Sequence, residues 1–294
     1  MWPLKWKIGA ALITLVYWCV LAVLAKPAAI GWGLQRAALS LSGTEHAIIE
    51  TAGGDRISYF EGGEGPTVIL VHGLQDHAGG WMQTVGPLME EHHVLVMDLP
   101  AHGESEPSGY KVDPGDPQNF LGRLIKERVP AGEKVTLVGN SLGGFVVVRY
   151  ALDHPEQVER VVSVNGAGMP YVADRQMFMP SSTGGMRATL RKVMGPDAIM
   201  PPDIMLRDFM REGRLRVPRI WDAIEQTPSF RDELSGMQPE LEVIWGMDDG
   251  LLSPELGREM AALGKGRFHP IENCAHSPQL MCASEFNALL LSLL

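Results

Sequence analysis

The longest uncharged apolar stretch of the chain lies near its start, at residues 8–25. As a helix rising roughly 1.5 Å per residue it would reach about 27 Å, close to the thickness of a bilayer's hydrocarbon core. Beyond residue 45 the pattern changes to short β-branched runs separated by longer helical stretches. Residues 46–51 and 56–61 read as strands around the Gly53-Gly54 turn. Residues 67–71 form an unbroken apolar run suited to a strand covered on both faces. Residues 93–98, 134–139, 159–164, 241–246 and 266–271 read the same way, and 80–91, 117–129, 142–154, 254–263 and 278–294 are long enough for crossover helices. This alternation predicts an α/β fold: a mostly parallel sheet with helices on both faces.

One interval breaks the rhythm. Between Asn165 and Glu240 there is no strand pattern, only helical patches punctuated by Pro180, Gly195, Pro201-Pro202 and Pro218. It is too long for a plain loop and reads as a helical subdomain. The predicted organisation is therefore a membrane anchor and linker over 1–42, an α/β core over 43–165 plus 237–294, and a helical cap over 166–236. Residues 28–41 fit either a helix lying along a membrane interface or an ordinary linker.

Charge sharpens the division. The chain carries a net charge of -10, yet its first 44 residues hold Lys5, Lys7, Lys26 and Arg36 and no acid. With Trp2, Trp6 and Trp32 flanking the apolar run, this predicts a single-pass N-terminal transmembrane helix with the main domain on the non-cytoplasmic side. Secretion after signal-peptide cleavage is the alternative. The acidic remainder excludes duplex nucleic acid as a partner, because phosphates require cationic surface. Cys19 lies within the anchor run, and Cys274 and Cys282 are expected to be free thiols.

Candidate chemistry is concentrated at the ends of the predicted strands. Gly139-Asn140-Ser141-Leu142-Gly143 follows an apolar run and opens a helical one. Small flanking residues there let the chain turn sharply and present the Ser141 hydroxyl at a helix N-terminus. A serine nucleophile needs a base, and His276 lies on a loop between the last strand and the last helix. The base needs an orienting acid, and both Asp248 and Asp249 follow the strand at 241–246. The end of the preceding strand, at Asn165-Gly166, offers no carboxylate. Backbone N–H groups of Leu142 and Leu74, the latter beside His72-Gly73, are placed to form an oxyanion hole. His72, His77 and His102 lie on earlier loops and are expected to shape the site. No metal or cofactor is indicated.

These segments resemble the successive motifs of the α/β-hydrolase fold. They are Leu70-Val71-His72-Gly73, Asp98-Leu99-Pro100-Ala101-His102-Gly103-Glu104-Ser105, Gly139-Asn140-Ser141-Leu142-Gly143-Gly144, Trp245-Gly246-Met247-Asp248-Asp249 and Asn273-Cys274-Ala275-His276-Ser277-Pro278. In that family the acid usually stands three residues after the glycine that ends its strand, which selects Asp249. The family usually has glycine where this chain has Ala101. With the N-terminal apolar segment, the chain is similar to membrane-anchored monoacylglycerol lipases and bacterial lipases. That resemblance implies a serine hydrolase acting on lipid-like carboxylic esters under the helical cap. Carbon–carbon hydrolysis, amidase or acyltransferase activity, or ligand binding without turnover, are the alternatives on the same triad. Eight of the 16 methionines fall in the cap, where they suit either a variable acyl chain or ordinary core filling. Arg207, Arg211, Arg214, Arg216 and Arg219 cluster there and could face anionic lipid.

Overall fold

In the computed structural model, which describes residues 26–172 and 174–294, helix α1 (Pro27–Leu41) leads into strands β1 (Glu45–Glu50), β2 (Arg56–Gly62) and β3 (Thr67–Val71). A short helix α2 (Val85–Leu88) precedes β4 (His93–Met97). Then come α3 (Asp116–Arg128), β5 (Val135–Asn140), α4 (Leu142–Asp153) and β6 (Val158–Val164). The insertion contributes α5 (Arg175–Phe178), α6 (Thr183–Met194) and α7 (Asp203–Gln226). The chain closes with β7 (Glu240–Gly246), α8 (Pro254–Leu263), β8 (Arg267–Ile271), α9 (Pro278–Met281) and α10 (Ala283–Leu293).

The strands form one sheet in the order β1-β2-β4-β3-β5-β6-β7-β8. The β1/β2 and β2/β4 pairs are antiparallel and the rest parallel. Every residue of β3 and β5 is buried, which is why these strands carry no charged residue and show no apolar–polar alternation. One face packs under Phe120, Leu124, Val147 and Tyr150, and the other under Trp81, Val85, Phe286 and Leu290. The loops leaving β3, β5 and β7 gather at the carboxyl edge of the sheet, where ligands of open α/β sheets bind.

Several expectations change. The helix expected over 80–91 is a 3-10 turn at Ala78–Trp81 followed by α2, since Gly79-Gly80 and Gly86-Pro87 interrupt a longer helix. The last helix is broken at Cys282, which is disulfide-bonded to Cys274. Both thiols were expected to be free; their Cα atoms lie 6.1 Å apart, within bridging range. Helix α7 runs through Pro218 instead of ending there. No helix of the described residues is long and apolar enough to cross a membrane, and the 8–25 run expected to do so lies outside them.

Helix α1 is docked on the domain. Ala28 and Leu39 are buried, and the Ala28 N–H donates to the buried Asp208 carboxylate of α7 at 2.8 Å. Arg36 reaches the buried Asp98 at 2.7 Å. Asp98 also accepts from Ser58 Oγ and from the N–H groups of Ala78 and Glu104, so it ties α1 to β2 and to the segments that follow β3 and β4.

Candidate active site

Ser141 stands between β5 and α4 with φ 55° and ψ −116°, a conformation a side chain other than glycine adopts only under constraint. The constraint comes from its neighbours. A Cβ on Gly139 would sit 2.2 Å from the Gly143 carbonyl oxygen, and one on Gly143 would sit 2.2 Å from that of Val71. Only bare backbone fits a turn this tight. The Ser141 N–H donates to the Val164 carbonyl at 3.0 Å, and the Asn140 side chain donates to the carbonyls of Val164 and His276, each at 3.0 Å. The elbow is thereby tied to β6 and to the histidine loop.

His276 is buried, and its Nδ1 lies 2.8 Å from Asp249 Oδ2. Its Nε2 has no hydrogen-bond partner among the described residues, which leaves it free to take a proton from a hydroxyl. No hydrogen bond joins it to Ser141 Oγ here, and such bonds are commonly formed only once substrate arrives. Asp249 also accepts from the N–H groups of Leu251 and Leu252, at 2.8 and 3.0 Å, and from Asn165 Nδ2 at 2.7 Å. The Asp248 N–H instead donates to the Cys274 carbonyl, and the carboxylate brought to the imidazole is that of Asp249.

Asn165 carries no carboxylate and does not stand out in the sequence. It adopts φ 44°, and its Oδ1 accepts from the Gly246 N–H at 3.0 Å while its Nδ2 holds Asp249. An Asn at a strand end reads as an ordinary turn residue, so nothing in the sequence marks this contact.

Leu74 and Leu142 border the same cavity as Ser141, and no hydrogen bond from either N–H is found among the described residues. Gly73 passes close to the elbow; a Cβ there would lie 3.1 Å from Ser141 Cβ. Two buried imidazoles hold this loop as acceptors. His72 Nε2 accepts from the Leu99 N–H at 3.0 Å, and His102 Nε2 accepts from the Gln75 N–H at 3.2 Å. Burial keeps both neutral, lowering His72 to about 4 and His102 to about 3. Gln75, at φ 62°, reaches across to the cap and donates to the Phe178 carbonyl at 2.6 Å.

The cavity over Ser141 has a volume of about 240 Å³ and is walled by Leu74, Phe145, Phe178, Ile220, Trp221 and Leu252 among others. No charged side chain lines it among the described residues. Of the eight cap methionines only Met169 borders it, while Met186 and Met210 pack with Leu206 inside the cap. Core filling accounts for Met186 and Met210, and Met169 alone of the eight is placed to meet a substrate chain.

Comparisons with known proteins bear on the family and the fold. A 2-hydroxy-6-oxononadienedioate/2-hydroxy-6-oxononatrienedioate hydrolase of Escherichia coli (strain K12) is 26% identical over 268 residues, covering 81% of this chain and 91% of its own. The crystal structure of a bacterial membrane phospholipase A superposes with a TM-score of 0.78 at 23% identity, covering 98% of each chain. Naproxen esterase, a carboxylesterase from Bacillus subtilis, gives 0.74 at 17% identity, covering 90% of this chain and 97% of its own. At such identities the structural likenesses show the fold alone. Residues 68–289 match the Alpha/beta hydrolase family, and the chain belongs to that family of hydrolases.

Proposed function

We propose that the protein is a serine hydrolase that cleaves carboxylic esters of lipid-like substrates, of the monoacylglycerol type, through an acyl-enzyme intermediate. The uncharged, aromatic and aliphatic wall of the cavity over Ser141 carries this reading. An acyl chain gains by leaving water there, whereas a carboxylate would be stripped of water without a cation to meet it. The volume lies below the roughly 300 to 1,000 Å³ of pockets for drug-sized ligands, which suits one slender chain.

Ser141 Oγ attacks the ester carbonyl carbon and His276 Nε2 takes its proton. Asp249 orients the ring through Nδ1 and faces the positive charge that then develops. The N–H groups of Leu74 and Leu142 receive the developing oxyanion. Collapse expels the alcohol, which leaves with the proton from His276; water then repeats the sequence in reverse to free the acid.

The Escherichia coli relative suggests carbon–carbon hydrolysis as a second reading, but its name specifies a dicarboxylate, for which this cavity offers no cationic side chain. The test is hydrolysis of p-nitrophenyl esters of graded chain length. Turnover should be abolished, by a factor on the order of a thousand or more, in Ser141→Ala, and His276→Ala combined with it should be little worse. Absence of ester turnover in the wild-type chain, or its survival in Ser141→Ala, overturns the proposal.

A further inference from the structure

The outward faces of α1 and α7 differ from the rest of this acidic molecule. Along α7 the exposed residues Ile204, Arg207, Arg211, Arg214 and Leu215 recur at i, i+3, i+7, i+10 and i+11, which places them on one stripe. Leu215 is 58% exposed and Ile204 41%. The opposite face, with Leu206, Met210, Val217 and Ile220, is buried. Arg211 pairs with the buried Asp208, and Asp203 at the helix start pairs with Arg187. Arg207 and Arg214 have no ion-pair partner among the described residues, and the remaining acid of this stretch, Glu212, faces Arg211 and Arg216.

Helix α1 lies against α7, with Arg216 stacked 5.5 Å from the Trp32 ring centroid. Its exposed residues are Ala29, Gly33, Leu34, Ala37, Ser40 and Leu41, again one face, and none is charged. The helix's one charged side chain, Arg36, is turned inward to Asp98. Leu34 is 67% exposed and Leu41 88%. A four-turn helix with an uncharged outer face beside a stripe of three arginines, Ile204 and Leu215 is the pattern of helices that lie in a membrane interface. The chain that precedes α1 adds a second, independent indication. Residues 8–25 are uncharged and apolar, and only Lys26 separates them from the start of the helix.

We propose that the outer faces of α1 and α7 form a docking surface for a bilayer containing anionic lipid. The arginines meet phosphate headgroups, while Leu34, Leu41 and Leu215 enter the acyl boundary. Each arginine near an anionic surface contributes about 1 kcal/mol, or roughly fivefold in occupancy. Because α7 also supplies Ile220, Trp221, Ala223 and Ile224 to the cavity over Ser141, docking would set that cavity beside the lipid phase.

The test reads contact rather than turnover, so it stands or falls separately from the proposed ester hydrolysis. A benzophenone-bearing side chain is placed at Leu34, at Leu215 or, as a control at the far end of α3, at Glu127 in the full-length protein. Each protein is irradiated with vesicles of phosphatidylcholine, with or without phosphatidylglycerol. Lipid adducts are expected at 34 and 215 and not at 127, in greater yield when phosphatidylglycerol is present. The yield should fall about fivefold for each of Arg207→Gln and Arg214→Gln, and fall further at high salt. Protein–protein adducts at 34 and 215 would assign the face to a second copy of this chain and overturn the proposal. Equal lipid yield at all three positions, or a yield indifferent to the two substitutions, overturns it as well.

Discussion

Asn165 and Ala101 show how single residues set this site. Asn165 gives one hydrogen bond to Asp249 and takes another from the backbone of β7, so the carboxylate is held from two strands. A hydrogen bond to a charged group contributes roughly 1.5 to 3 kcal/mol, and part of that holds the acid in register with the imidazole. Replacing the acid itself by Asn leaves the ring without its orienting acceptor, a change that cost about ten-thousand-fold in the protease for which it is described. We expect Asp249→Asn to lower ester turnover by several orders of magnitude and Asp248→Asn to change it modestly. Side-by-side kinetics with the opposite ranking would move the orienting role to Asp248. Ala101, which departs from the motif that its segment resembles, adopts φ 62°, a left-handed conformation that costs a side chain roughly 1 to 2 kcal/mol. Ser141 was legible because strand, glycines and helix announce it together. Asn165 was not, since its importance exists only once β6 and β7 lie side by side.

Whole elements were readable where their periodicity matched their burial. The fully buried β3 and β5 have no alternation to hide, and their extents follow the apolar runs closely. Element ends set by tertiary contacts were less visible. The break between α9 and α10 falls at Cys282, whose bond to Cys274 closes a short ring around His276. Helix α7 continues through Pro218 because one side of it is packed along the core, and that packing offsets the hydrogen bond the ring removes. Helix α1 carries the clearest consequence. A chain starting at residue 26 retains the Ala28–Asp208 and Arg36–Asp98 contacts, whereas one starting at residue 43 loses both, along with the buried Leu39. Leaving Asp98 buried without its cation costs about 3 to 5 kcal/mol. In thermal melts the first truncation should keep the melting temperature of the full chain, and the second should unfold well below it. Equal stability of the two would show that α1 contributes nothing to the fold.

At the scale of the molecule, buried titratable groups tie stability to pH. His72 and His77 are held near 4 and His102 near 3 by burial, against 6.5 for an imidazole in water. Between these limits the unfolded chain binds more protons than the folded one, so their contribution is complete above pH 6.5 and is lost on acidification. Asp76 opposes them: burial raises its carboxyl to about 7 from 3.8, so its share is present in acid and lost as the pH rises toward 7. Three groups against one leave a net uptake of roughly two protons on unfolding. The melting temperature should therefore drop steadily from pH 6.5 to pH 4.5; a flat or rising profile would contradict this assignment. Gln75 carries a consequence of another kind. Its N–H rests on His102 below and its amide grips Phe178 of the cap above. A single side chain thus makes the loop after β3 and the roof of the cavity thermodynamically linked. Whatever free energy a ligand held against the loop lends to the Gln75–Phe178 contact, that contact returns in full to the ligand, because coupling between two sites is reciprocal.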